Sequence, residues 1–368
     1  MSEAAPLQSA GVNKLRLNRR TLVHFSGCDY FRLSQHPKVI QAAHSSLTKE
    51  GLSVAASRRT TGNHPIYARL ETKLATFFGA DTALVLPDGY LAPIAVTQVL
   101  AGEVTHALID EFAHGALVDA ARMPDCPVIK FNHRNADNLA KAIVKCGRNA
   151  RPLVLTDGLF SHDGSVAPLR EYLKHLPRNG MILVDDAHGV GVLGATGKGS
   201  LEHEGVSRDR IIQCATLSKA FGVYGGVVLA KRALREKILE RSRSFIGTTP
   251  LPLPLAGAAL ASLDILQRDR SRRKSLFNNL TRVRKALRAA GWETAETPGP
   301  IIRLPAMNET ESNVLKKHLL RAGIYPPFLK YGSSSATGFF RLVISSGHTE
   351  AQLNQLISVL VAFKARRS

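Results

Sequence analysis

One recurrence constrains this chain more than any other feature. Short β-rich runs return along it: TALVL (82–86), HALI (106–109), PVIKF (127–131), LVLT (153–156), MILVD (181–185), IIQCAT (211–216) and GGVVLA (225–230). Their spacing mostly leaves room for a crossover helix between successive strands, as in NADNLAKAIVKC (135–146) or LREYLKHL (169–176). The pattern predicts an α/β fold with a doubly wound, mostly parallel sheet. Ligands of such sheets lie beyond the carboxyl ends of the strands, so the residues that follow each run carry the functional argument.

Composition narrows the class. A chain of 368 residues suits one large α/β core plus a smaller domain. No stretch reaches the roughly 18 to 20 consecutive apolar residues of a membrane span, and the opening MSEAAPLQSAGVNKLRLNRR lacks the apolar run of a signal peptide, so a cytoplasmic location is expected. Cys28, Cys126, Cys146 and Cys214 show neither a CxxC nor a histidine at ligand spacing, which predicts reduced thiols and no metal site. The formal charge of +20 fits a nucleic acid, an acidic membrane surface or a polyanionic substrate or carrier, and equally a solvated basic surface. No zinc-finger spacing, RNP-like aromatic motif or long lysine tail favours nucleic acid.

Read in order, the strand ends supply Asp88 and Gly89, Asp110 and His114, Asp157 and Ser161, Asp185 and His188, then Thr216, Ser218 and Lys219. Any one Ser or Asp there reads equally as a helix cap; together they place imidazoles, carboxylates, hydroxyls and a lysine on one rim. A lysine held beside apolar residues loses hydration, which favours the neutral amine that attacks a carbonyl. Pyridoxal phosphate is the carbonyl most often met this way. It asks for an anion near its pyridine nitrogen, donors around its phenolic oxygen, and amides or hydroxyls around its phosphate. Asp185 in LVDDAHG suits the first task, or else caps the GVGVLG turn, and DGYLAP (88–93) with its following helix suits the last.

Further motifs fall in a fixed order: FSGCDYFRLSQHP (25–37), TGNHPIYARLE (61–71), TDGLFSHDGSVAPL (156–169), VDDAHGVGVLGATGKGS (184–200), TLSKAFGVYGG (216–226), FIGTTPLP (245–252) and FFRLVISSGHTE (339–350). With DGYLAP they resemble the α-oxoamine synthases, fold-type I pyridoxal phosphate enzymes that include 8-amino-7-oxononanoate synthase, glycine C-acetyltransferase and serine palmitoyltransferase. The resemblance implies a cofactor, pyridoxal 5'-phosphate, with Lys219 as the Schiff-base lysine and Asp185 at the pyridine nitrogen. It implies His188 and Ser161 at the phenolic oxygen and His114 stacked on the ring, so that Lys219, His114, Asp185 and His188 form the catalytic set. Gly89, Tyr90 and Thr216 would hold the phosphate, with Thr248 or Thr249 reaching across from a second subunit of a homodimer. Arg341 would grip the amino-acid carboxylate.

The implied reaction is a decarboxylative condensation of an amino acid with an acyl thioester, giving an α-amino ketone. Synthesis of 8-amino-7-oxononanoate, a step of biotin formation, is expected first. Another α-oxoamine synthase comes next, then an aminotransferase or a non-catalytic basic binding protein on the same fold. A coenzyme A or acyl-carrier thioester is polyanionic, which would give the positive charge a use. The chain departs from the family at Cys28, where an asparagine is usual, at Asp157, one methylene shorter than the usual glutamate, and at Gly247, where an aromatic residue is common. Cys28 and Asp157 are therefore assigned, with Arg341, to the substrate side. The expected division is an N-terminal arm over 1–45, a large cofactor-binding domain over 46–245 and a C-terminal α/β domain over 246–368.

Overall fold

The computed structural model describes residues 6–330 and 338–366; the first residues of the expected arm and the last two of the C-terminal domain lie outside them. Three strands come first, β1 (Gln8–Ser9), β2 (Lys14–Leu17) and β3 (Arg20–His24). Seven more follow the recurrence almost residue for residue: β4 (Thr82–Leu86), β5 (His106–Asp110), β6 (Val128–Phe131), β7 (Pro152–Asp157), β8 (Met181–Asp185), β9 (Ile211–Thr216) and β10 (Gly226–Ala230). These seven form one sheet in the order β4-β10-β9-β8-β7-β5-β6. Only β10 runs against its neighbours, so the sheet is mixed and mostly parallel. Every residue of β7 and β9 is buried, as expected of strands covered on both faces.

The covering helices begin and end on local signals. Helix α1 (Pro37–Glu50) and helix α2 (Pro65–Phe78) each start at a proline after a histidine whose ring accepts a backbone N–H. Gly79 ends α2 in the left-handed conformation. Helices α3 (Leu91–Gln98), α4 (Gly115–Ala120), α5 (Ala136–Lys145), α6 (Leu169–His175) and α7 (Ser200–Glu204) lie between strands, and α8 (Arg232–Arg241), α9 (Arg243–Ile246) and α10 (Leu253–Arg268) follow β10. Their apolar faces meet the sheet in two clusters, one around Leu84, Leu155 and Cys214, the other around Val154, Phe160 and Ile182.

Two compact units result. The larger takes in Leu33–Ser161 and Ser165–Arg268; the smaller takes in the N-terminal segment to Arg32, His162–Gly164 and the chain from Asp269 onward. This differs from a division at 45 and 245, for two physical reasons. Strand β3 pairs in parallel with a strand near the C-terminus, β12, which ties the early arm to the smaller unit. Helix α10 packs on α1 so closely that a Cβ on Gly257 would lie 1.9 Å from Ser46 Oγ, which keeps α10 in the larger unit.

The smaller unit contains α11 (Arg270–Ala289), β11 (Ile301–Arg303), α12 (Glu309–Arg321), β12 (Ile324–Tyr325), β13 (Phe328–Leu329), β14 (Phe339–Val343) and α13 (Glu350–Ala365). Its strands form two sheets, β1-β2-β3-β12 and β11-β14-β13, over an apolar core that includes Phe25, Leu315, Phe340 and Leu356. Among the described residues no helix is long and apolar enough to cross a membrane.

Candidate active site

The register of the large sheet brings the strand ends into one row. Gly226 stands opposite both Leu86 and Thr216, Cys214 opposite Asp185, and Asp185 opposite Asp157. Close approach then does the local shaping. A Cβ on Gly89 would lie 2.8 Å from both Cβ and Oγ1 of Thr216, and one on Gly226 would lie 2.2 Å from the carbonyl oxygen of Asp88. Only glycine lets the backbone come this close to the Thr216 side chain and to the Asp88 carbonyl. Thr216 Oγ1 donates to the Gly225 carbonyl (3.0 Å) and accepts from Ser218 N (3.1 Å), so its position is fixed. Tyr90, at the start of α3, donates its N–H to Asp88 Oδ1 (2.6 Å) and its hydroxyl to Asp119, and that hydroxyl bond raises the phenol's pKa above its ordinary value.

Lys219 lies three residues beyond the end of β9, half-buried at the rim rather than sunk in the apolar interior. Its charge and that of Asp185 both act on His114 and on Asp157, so the structure brings these four residues together. Asp185 is 7% exposed, and its carboxylate accepts one hydrogen bond, from Ala187 N (3.1 Å). Asp157 is 3% exposed and accepts the His114 N–H at 2.8 Å. Burial, and then the Asp185 charge, push the Asp157 carboxyl well above the usual carboxylate range. His114 caps α4 by accepting Ala116 N at 3.2 Å, and its ring stands edge-on to Tyr90. Packing about that ring lowers its pKa, against the Asp185 charge that raises it. His188, three residues after Asp185, is buried, and Ser161 is half-buried beyond β7.

Asp186, passed over in the sequence reading, ties the end of the glycine-rich segment to β9. Its Oδ2 accepts Ser200 N (2.7 Å) and Gln213 Nε2 (2.6 Å), and Cβ atoms on Gly158, Gly189 or Gly199 would all fall within 2.3 Å of its carboxylate oxygens. Three glycines of the surrounding motifs thus make room for a wholly buried carboxylate whose pKa burial pushes up to about 6. The signal in the sequence was Gln213, a polar residue in the middle of an apolar strand.

The remaining assigned residues belong to other elements. Thr248, half-buried, donates to the Ser244 carbonyl (2.7 Å), while Thr249 is exposed. In the smaller unit, Cys28 is half-buried and Arg341 lies on β14 opposite Arg303. Tyr30, fully buried, joins these two. Burial chiefly raises its phenol pKa, Cys28 adds to the shift and Arg341 opposes it.

The profile of the aminotransferase class I and II family matches residues 21–360. The 8-amino-7-oxononanoate synthase of Thioalkalivibrio sulfidiphilus is 35% identical over 348 residues, which span 93% of this chain and 88% of that protein. Serine palmitoyltransferase of Sphingomonas wittichii matches with a TM-score of 0.91 at 26% identity, over 98% of this chain and 92% of its own. The chain belongs to the α-oxoamine synthases. A further serine palmitoyltransferase structure, solved with pyridoxal phosphate, gives a TM-score of 0.90 at 25% identity over 98% and 92% of the two chains. The fold of this α-oxoamine synthase is accordingly that of the fold-type I pyridoxal phosphate enzymes. Its rim residues fit that cofactor. Gly89 and Thr216 form a cradle that a Cβ would fill, at the start of α3, and Asp185 is a buried carboxylate with room in its hydrogen-bonding capacity for a cation.

Proposed function

We propose that the chain condenses an amino acid with an acyl thioester, with loss of carbon dioxide, in the manner of an 8-amino-7-oxononanoate synthase. The observation that carries this reading is the meeting of Lys219, Asp185 and His114 at the ends of β9, β8 and β5. Pyridoxal phosphate supplies an aldehyde for an amine and an electron sink for the carbanion formed at the amino acid's Cα. Around it, Gly89, Tyr90 and Thr216 would receive the phosphate, the Tyr90 N–H and the Thr216 hydroxyl turning to it from Asp88 Oδ1 and the Gly225 carbonyl, and Thr248 or Thr249 of a second copy would complete that pocket. Asp185 would hold a proton on the ring nitrogen; His188 and Ser161 would hold the phenolic oxygen. His114, fixed through its own N–H by Asp157, would cover the ring face, which makes Asp157 a support for the site rather than a substrate contact.

Lys219 would take the Cα proton and later return one to the product. Arg341 would bind the substrate carboxylate with its planar pair of donors, beside Cys28 and Tyr30. The product name fixes the substrates by its carbons: alanine supplies the methyl-bearing amine carbon, and a seven-carbon ω-carboxyacyl thioester supplies the rest. A homodimer working in the cytoplasm is the setting this reading requires.

Two measurements test it. Borohydride reduction of the enzyme loaded with pyridoxal phosphate, followed by peptide mapping, should find the cofactor on Lys219 and on no other lysine. Glycine, alanine and serine, each paired with short, ω-carboxylated and long acyl-CoAs, should give the fastest thiol release with alanine and the ω-carboxylated chain. Serine with a long acyl chain as the best pair would move the protein to the activity named for its serine palmitoyltransferase neighbours. Label on another lysine would overturn the assignment of the site.

A further inference from the structure

The segment FNHRN (131–135) takes no part in the function proposed above, yet its histidine is held on every side. His133 Nδ1 lies 2.9 Å from Asp110 Oδ1, and its Nε2 lies 3.3 Å from Ser165 Oγ. Because a carboxylate only accepts, Nδ1 donates to Asp110, and Nε2 shares the second hydrogen bond with the serine hydroxyl. The ring packs against Phe112 (4.7 Å between centroids) and edge-on against Phe160 (4.4 Å).

An aspartate–imidazole–hydroxyl chain has the connectivity of a nucleophilic triad, but the geometry argues against that use. Ser165 is 4% exposed and its carbonyl accepts Phe160 N at 2.8 Å, so no substrate carbon can reach its hydroxyl. What the chain joins is two stretches of the rim. Asp110 Oδ1 also accepts Phe112 N (2.9 Å), which fixes the turn leading into His114. Ser165 lies beside the bridge between Leu159 and Val166, on the arm opposite the one that ends at Ser161. His133 is therefore the link between the loop that carries His114 and the segment that carries Ser161.

We infer that His133 is a positioning residue that locks the His114 loop and the Ser161 arm into one arrangement ready to receive pyridoxal phosphate. The inference rests on the reading that places His114 and Ser161 at the cofactor. Holding groups in place before the ligand arrives removes the ordering cost from binding, so the effect belongs in cofactor affinity first and in turnover only through it.

The test is a double-mutant cycle on apo protein titrated with pyridoxal phosphate, read by absorbance and by circular dichroism of the bound cofactor. His133→Phe should weaken binding about tenfold, the scale of one lost hydrogen bond, and reduce the dichroism. In a His114→Ala, Ser161→Ala background the same substitution should weaken it by less than about twofold, since the groups it positions are gone. Ser165→Ala cuts only one half of the link and should give the same pattern at about threefold, which keeps the test open where His133→Phe does not fold. Unchanged affinity in both variants, or an equal loss in the two backgrounds, would overturn the positioning role. Failure of the wild-type chain to bind pyridoxal phosphate would instead strike the proposed function beneath it.

Discussion

Asp110 and Asp185 end strands of the same sheet, both buried, and the protein treats them differently. Three donors converge on Asp110: Phe112 N and His133 Nδ1 on one oxygen, Arg134 N on the other, each at 2.9 Å. Among the described residues Asp185 receives one, from Ala187 N. A buried carboxylate is tolerable only when hydrogen-bonded or paired with a cation. The β5–β6 end of the rim meets that demand from within the chain and so serves architecture. The β8–β9 end leaves capacity for a cationic ligand group, which is the property a pyridinium requires.

The widest gap between the two should appear in turnover. Asp185→Asn keeps shape and removes charge, so kcat should fall by roughly 10³-fold, within the range for losing an essential proton-holding group. The same change should leave the melting temperature of the apo protein no lower, because it removes a charge that burial disfavours. Retention of more than a tenth of kcat, or a clear loss of apo stability, would erase the distinction between the two ends of the rim.

Asp186 extends the comparison to a third carboxylate, wholly internal, which holds Ser200 N and the Gln213 amide. Its folded pKa is raised to about 6, so the folded state favours the protonated form. The stability this confers is present below the ordinary carboxylate pKa and is lost as pH rises from about 4 to about 6. A shift of about two units corresponds to about 3 kcal/mol. Asp186→Asn cannot titrate, so from pH 3 to pH 7 the variant's unfolding free energy should gain about 3 kcal/mol relative to wild type. Denaturant titrations at both pH values would measure it; parallel curves for the two proteins would show that the burial of Asp186 costs nothing that titration can relieve.

The sheet was legible because its apolar runs are spaced for crossovers, and six of its seven strands do run parallel. Strand β10 gave no sign of its reversed direction, since an apolar run reads alike both ways. The candidate cofactor residues were named from strand-end position and family motif. Asp186, His133 and Ser165 were not, because their roles depend on partners that lie 27, 23 and 32 residues away in sequence. The unit boundaries were missed for the same reason: pairing of β3 with β12 joins segments about 300 residues apart. Sequence spacing reports what neighbours do; it does not report which distant backbone donor will reach a carboxylate.

The smallest effect in this series is the one that isolates the architectural end of the rim. Asp110→Asn preserves volume but converts one acceptor into a donor. With the amide nitrogen in the Oδ2 position it faces Arg134 N; in the Oδ1 position it faces Phe112 N, and His133 must exchange its tautomer. Either way one part-buried backbone N–H meets another N–H, so a hydrogen bond is lost and a donor is left unsatisfied, which costs about 1 to 2 kcal/mol. The melting temperature of the apo protein should fall accordingly, while cofactor affinity should weaken by no more than about tenfold, through His133, and kcat of the loaded enzyme should change little. This is the reverse of the Asp185→Asn pattern, in which turnover is lost and apo stability is kept. A substitution at Asp110 that abolished turnover without lowering stability would mean that both ends of the rim face the chemistry, and the contrast between a structural and a functional carboxylate would have to be given up.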